Sequence, residues 1–229
     1  MGRPTRTHDA IEDILTRINS GEFKEGHALP PEAELANLLN VSRPTMREAV
    51  TILRDRGVLD VVHGNGTYVR PHCQWTDMPT LINALSGTMS ARDLGCRLVE
   101  LRRMLEVGAA GLAAMHRSQD DIDAMRSILD DFNRYEAAGD FEAVARCDME
   151  FHHRILTASS NPFIIPMLDP LNKALLRSRI DTTLDPQARA RARISHEAIL
   201  KAIADRDPAQ AKDRMRAHMS ETREAIETL

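Results

Sequence analysis

From about Ala91 to the end of the chain, apolar residues recur at helical spacing, and the pattern is broken only at short polar turns. The breaks fall at Ser118-Gln119, Gly139-Asp140, Asn161-Pro162, Asp185-Pro186 and Asp207-Pro208, all of them residue types that stop or start helices. Six helical segments result, at roughly 91–116, 119–137, 140–159, 162–179, 187–205 and 208–227. Leu98, Leu101, Leu105, Leu112 and Met115 mark one apolar stripe, and Ile122, Met125, Leu129 and Phe132 mark another. Helices of this length joined by turns this short pack antiparallel, so the C-terminal part is expected to be an all-α antiparallel bundle.

The first seventy residues follow a different plan. Ile11, Ile14, Leu15 and Ile18 lie on one face of a first helix that Gly21 ends. Pro30 and Pro31 then precede a short helix with Leu35, Leu38 and Leu39, and a second short helix runs from Ser42 to about Arg56. After Gly57, the segment VLDVVHGNGTYVR reads as two short strands joined by a Gly-Asn-Gly turn, where positive φ is tolerated. Residues 71–88 carry two prolines and read as a linker with a short helix. The fold class is therefore mainly α: an N-terminal winged helix-turn-helix with a small β-hairpin wing (4–72), a linker (73–90), and the helical bundle (91–229).

At 229 residues the chain is long enough for two ordinary domains. No stretch of 18 or more apolar residues occurs, which argues against a membrane span, and the first residues do not read as a secretory signal. Cys73, Cys96 and Cys147 are odd in number and outside any CxxC spacing; they are expected to be packing residues in a reducing, cytoplasmic setting. The net charge of −4, with nine Lys/Arg against ten Asp/Glu in residues 1–72, gives no bulk argument for nucleic acid. The placement of the charges has to carry it.

That placement is informative in the 42–56 helix. Ser42 is a suitable N-cap and Pro44 suits the first turn. At 100° per residue Arg43, Arg47 and Arg54 fall within about 40° of one another, while Met46, Ala49 and Leu53 share a different face. One side is basic and the other apolar, as a helix lying in a major groove requires. The arginines could reach guanine edges or phosphates, and Ser42 and Thr45 could bond phosphate oxygens. The His63-Gly64-Asn65-Gly66 turn could approach the DNA backbone or minor groove. Taken alone, three arginines are equally compatible with a solvated helix face; the order of elements around them favours DNA.

The bundle carries ionisable residues on its core faces. Asp148 and His152 sit four apart on the stripe of Val144, Phe151 and Ile155. His196 shares a face with Ile199, Leu200 and Ile203, and His218 shares one with Ala211 and Met215. Such side chains are costly inside unless paired or metal-bound. One aspartate and three histidines directed into one bundle suggest a divalent metal site, with Zn²⁺, Ni²⁺ or Mn²⁺ suited to nitrogen and oxygen ligands. Any single one of these histidines is better explained as a satisfied core residue; it is the four together that favour a metal. His116 and His153 lie off the stripes and read as surface residues.

The stretch LPPEAELANLLNVSRPTMREAVTILRDRGVLDVVHGNGTYV resembles the winged helix of the GntR family, with its LP-x-E-x-EL-A entry, SR-x-x-x-RE-A recognition helix and G-x-G wing. The resemblance implies DNA contacts at Ser42, Arg43, Thr45 and Arg47, with His63 and Gly64 in the wing. Ala33 departs from it, because many members have an arginine there. Residues 91–229 resemble the FCD ligand-binding domain of the FadR branch, through ELRRMLE (100–106), D-x-x-x-H-H-x-I (148–155), ASSN (158–161), H-x-x-I (196–199) and His218. That resemblance implies a divalent metal on Asp148, His152, His196 and His218. It also implies a small carboxylic acid effector that caps the metal and pairs with Arg102, or alternatively with Arg103. The CQW segment and the PPEAEL entry are similar to sugar-acid (aldonate) regulators of this branch. The expectation is a transcription regulator, a repressor by analogy with most members, binding a near-palindromic double-stranded operator as a homodimer. It is not expected to be an enzyme. The rival readings are a helical metalloenzyme fused to a DNA-binding module and a purely architectural DNA-binding protein. Against the first, the chain has no HExxH, no Ser-His-Asp ordering and no Gly-rich phosphate loop.

Overall fold

The computed structural model describes residues 6–228, so the expected domain start at residue 4 and the last residue, Leu229, lie outside the described residues. The chain divides into two compact units between Met89 and Ser90. The first contains α1 (Arg6–Asn19), α2 (Glu32–Leu38), α3 (Arg43–Asp55), β1 (Leu59–Val62), β2 (Gly66–Val69), a 3-10 turn (His72–Gln74) and α4 (Met78–Thr88). As the apolar spacing predicts, α1 buries Ile11, Ile14, Leu15 and Ile18, and α3 buries Met46, Ala49 and Leu53. β1 and β2 pair antiparallel from Leu59 opposite Val69 to Val62 opposite Gly66. Leu29 N donates to Thr67 O at 2.7 Å, which ties the segment before α2 to the wing.

Residues 72–88 are more than a spacer, because they complete the core of this unit. Trp75 and Ala84 are buried with the α1 and α3 side chains, and Trp75 Nε1 donates to Arg70 O at 2.9 Å. Asp77 caps α4 by accepting from Thr80 N. Gly57 permits this return. Its φ is +74°, and a Cβ there would lie 2.8 Å from both Thr76 N and Thr76 Oγ1. Gly57→Ala is therefore expected to destabilise the first unit by about 1–3 kcal/mol. Gly21→Ala, also at positive φ but with open space around it, should cost less. Urea unfolding of the two variants checks this; equal losses would show that the Thr76 contact is not limiting.

The second unit contains α5 (Ala91–His116), α6 (Gln119–Ala138), α7 (Phe141–Ala158), α8 (Ile164–Leu168), a 3-10 turn (Asp169–Leu171), α9 (Asn172–Thr183), α10 (Pro186–Ala204) and α11 (Pro208–Glu227). The turn residues act as caps: Ser118 forms a capping box with Asp121, Gly139 ends α6 in the left-handed region, and Asp140, Asp185 and Asp207 cap the next helices. α5 and α11 share the longest contact, and α10 packs on α11.

Two details differ from the sequence expectation. The single helix expected at 162–179 is instead a short helix, a 3-10 turn and then α9, which runs on to Thr183. Pro170 has no N–H to continue the ladder, and it disfavours α geometry at Asp169. On α5 the buried face is not the leucine stripe. Leu101, Leu105 and Leu112 are only partly buried and Met104 is 77% exposed, whereas Leu98, Arg102, Glu106, Ala109 and Ala113 face inward. Alanines on that face leave room for α11 to pack closely.

Candidate DNA interface and metal centre

In the first unit, Ser42 caps α3. Its hydroxyl accepts from Thr45 N at 3.2 Å and lies 2.8 Å from Thr45 Oγ1, so both hydroxyls sit at the helix start. Arg43 is exposed one residue on. The Arg47 side chain is 76% exposed and reaches back to α2, where its Nε donates to Glu32 Oε2 at 3.3 Å. Arg54 is also exposed, but its Nε and Nη2 are held by Asp55 Oδ1 at 3.1 and 2.8 Å. His63 and Gly64 are exposed in the turn between the strands, where Gly64 has φ +74°. The surface so formed is a capped helix start with two exposed arginines, beside a hairpin with little side-chain bulk at its tip. A helix N-terminus with hydroxyls and arginines suits phosphate oxygens and base edges.

In the second unit, α7 supplies Asp148 and His152, α10 supplies His196, and α11 supplies His218. One ligand atom from each lies within 4.8 Å of all the others. His152 Nε2 is 3.1 Å from His218 Nε2, His196 Nε2 is 3.2 Å from Asp148 Oδ1, and His152 Nε2 is 4.0 Å from the same oxygen. Ligands about 2.1 Å from a common ion are roughly 3.0 Å apart when adjacent and 4.2 Å apart when opposite in an octahedron. The cluster matches that scale. His196 is fully buried, with its ring against Phe151 at 4.6 Å and edge-on to Phe132 at 6.1 Å, so it cannot turn away.

Two residues that sequence reasoning missed complete the centre. Glu106 is 3% exposed, and its Oε2 lies 2.5 Å from His152 Nδ1. That contact favours the tautomer with the proton on Nδ1 and leaves Nε2 as a lone-pair donor, the arrangement expected behind a ligating histidine. Arg179, on α9, contacts Asp148 Oδ2 through its Nε. Arg102 is 2% exposed, and its Nε donates to Glu106 Oε1 at 2.7 Å. Arg102, Arg179, Asp148 and His218 line one cavity of about 50 Å³. Arg103 is exposed and does not line it. His116 is exposed and His153 half-buried, outside the cluster.

The electrostatics suit a cation. Burial alone would raise Asp148, but Arg179, His196 and His152 outweigh it and hold the carboxyl well below its ordinary range. Burial likewise opposes ionisation of Glu106, and Arg102 and His152 overcome it, so this carboxyl is also strongly depressed. Burial pushes His152 down to about 4 despite the pull of Glu106. Burial, with His196 and His152 nearby, pushes His218 well below its usual value. At neutral pH the cluster thus offers an ionised carboxylate at Asp148 and neutral imidazoles at His152 and His218, the protonation states that ligate metals. Nδ1 of both His196 and His218 is buried without a hydrogen-bond partner among the described residues.

A pH dependence follows for metal-free protein. Between about 6.5 and 4 the unfolded chain takes up a proton at His152 that the folded chain refuses, so stability is present above 6.5 and falls as pH drops through this window. The loss amounts to about 3 kcal/mol by pH 4. His218 acts in the same direction, and the depressed Asp148 and Glu106 extend the loss below the ordinary carboxylate range. Denaturant unfolding of chelator-treated protein at pH 7.5, 5.5 and 4.5 measures it; equal stability at all three would mean the histidines are not held neutral.

Residues 6–69 match the family described as bacterial regulatory proteins, gntR family, and residues 97–221 match the FCD domain, more than half of the chain. The chain belongs to the GntR family of bacterial regulatory proteins and carries an FCD domain. It is similar to the HTH-type transcriptional regulator LutR of Bacillus subtilis (28% identical over 215 residues, covering 91% of this chain and 95% of LutR). It is also similar to the HTH-type transcriptional repressor NanR of Cronobacter sakazakii (29% over 219 residues, 91% of this chain and 80% of NanR). Among solved structures, a GntR protein of Streptococcus agalactiae is 28% identical, with a TM-score of 0.53, over 95% of this chain and 99% of that one. The protein is a DNA-binding transcription regulator and not an enzyme, which removes the metalloenzyme alternative. No helix among the described residues is long and apolar enough to cross a membrane.

Proposed function

We propose that this regulator is a repressor whose operator affinity is set by a small carboxylic acid bound at a divalent metal centre in its FCD domain. Asp148, His152, His196 and His218 hold the ion, and Arg102 pairs with the acid. Ser42, Arg43, Thr45 and Arg47, with His63 and Gly64 of the wing, contact the operator. The observation that carries the sensing half is the convergence of one ionised carboxylate and three buried imidazoles beside an arginine-lined cavity. Bound there, a divalent ion supplies positive charge and open coordination positions for a carboxylate. Repression follows the sign printed for NanR.

Two copies would read a near-palindromic operator with α3 helices about 34–36 Å apart. Because α4 is part of the first unit, an effect of the acid reaches the winged helix across the Met89–Ser90 junction. A coupling of ~1–3 kcal/mol would change operator affinity about 5- to 150-fold. The test takes a DNA fragment selected from a random pool by metal-loaded protein and titrates binding with a panel of hydroxy acids, sugar acids and dicarboxylates. An acid that both raises the melting temperature and weakens DNA binding, in each case only with metal present, supports the proposal. An acid that stabilises the protein yet leaves DNA affinity unchanged sinks it.

A further inference from the structure

The charge around the cluster is unusually concentrated. Arg102 and Arg179 are both more than nine-tenths buried, and both line the cavity beside Asp148 and His218. Each uses its Nε on one carboxylate, Arg102 on Glu106 and Arg179 on Asp148. The Nη2 of each is buried without a hydrogen-bond partner among the described residues.

The two arginines and the two carboxylates they contact cancel, and a histidine that ligates a divalent ion does so as the neutral imidazole. A divalent ion on the four ligands therefore brings two positive charges that these paired arginines and carboxylates leave unbalanced. A monocarboxylate offsets one of them. A dianion offsets both, and uncompensated buried charge is strongly unfavourable. We infer that the effector is a short dicarboxylic acid, one carboxylate directed to the metal centre and the other received by the free guanidinium edges of Arg102 and Arg179. The cavity volume of about 50 Å³ favours a short diacid over one with a long alkyl chain. This inference rests on the metal and acid reading above and narrows its ligand class.

Calorimetric titration of the metal-loaded full-length protein with succinate and L-malate, against L-lactate and acetate, tests it without any variant. The diacids should bind about ten- to hundredfold more tightly than the monoacids. In Arg179→Gln protein that retains its metal, the preference should shrink to a few-fold. Monoacids binding as tightly as diacids would overturn the dicarboxylate inference while leaving acid sensing intact. The same holds for a preference that survives Arg179→Gln in metal-loaded protein. If no acid of either kind binds the metal-loaded protein, both the inference and the proposed function fall.

Discussion

If the proposed centre holds a divalent ion, protein carrying His152→Ala should purify without it, with metal affinity reduced by at least about a hundredfold. Removing a group behind a ligand typically costs 10- to 100-fold, and removing a ligand should cost no less. The change deletes one of four converging donors, and it also leaves Glu106 with Arg102 but without the imidazole it contacts. Glu106→Gln makes the effect graded. It keeps an oxygen near His152 Nδ1 but removes the charge that favours the Nδ1–H tautomer, so affinity should fall about ten- to hundredfold while some metal remains. Elemental analysis and competition with a chelator read both variants. Melting the wild type and His152→Ala with chelator present separates metal loss from misfolding, because the metal-free proteins should differ far less than the loaded ones. A full equivalent of ion in His152→Ala would mean the metal sits elsewhere. Failure of wild-type protein to take up zinc, nickel or manganese would make the cluster a polar core and nothing more.

The four metal-ligand candidates could be read from sequence because each interrupts an apolar stripe whose helical period is plain. Asp148 and His152 lie between Val144 and Ile155, and His196 lies above Ile199 and Ile203. The winged helix was legible for a related reason. Each α3 position does one thing, packing through Met46, Ala49 and Leu53 or standing exposed at Arg43 and Arg47. Propensity, capping and pattern agree there, and agreement across levels is what makes a segment predictable.

Glu106 and Arg179 were hidden by packing that residue hydrophobicity ranks wrongly. On α5 the leucines at 101, 105 and 112 outweigh alanine on any hydrophobicity scale, yet the alanine face is the one buried against α11. Arg102 and Glu106 lie on that face four residues apart, so seeing the alanine stripe would have revealed the pair. Arg179 was missed because the helix was expected to start at 162 and end at 179. With the break at Pro170, α9 runs on to Thr183, and Leu175, Arg179 and Thr183 form one buried stripe at i, i+4 and i+8. The arginine-lined side of the cluster was therefore less legible than its histidine side.

Arg47→Ala should abolish specific operator binding while leaving the fold and the metal content intact. In the free protein the Arg47 side chain pairs with Glu32, in an exposed contact of the kind that contributes little to stability, and α3 keeps its Ser42 cap and its buried face without it. On DNA the same guanidinium can fork onto a guanine edge, and such a contact discriminates by about 1–3 kcal/mol. Two copies on a near-palindromic operator would lose about 2–6 kcal/mol, roughly thirtyfold to more than ten-thousandfold in affinity. Arg54→Ala is the contrast: that side chain is committed to Asp55 at the far end of α3, and its loss should change specific binding by less than about threefold. Fluorescence anisotropy at several salt concentrations separates base reading from phosphate contact. If Arg47 reads a base, the variant loses specificity and keeps most of its salt slope. If Arg47 only neutralises a phosphate, specific and non-specific binding weaken together and the slope falls by about one. Normal operator affinity in Arg47→Ala protein would place the DNA on another face of the first unit.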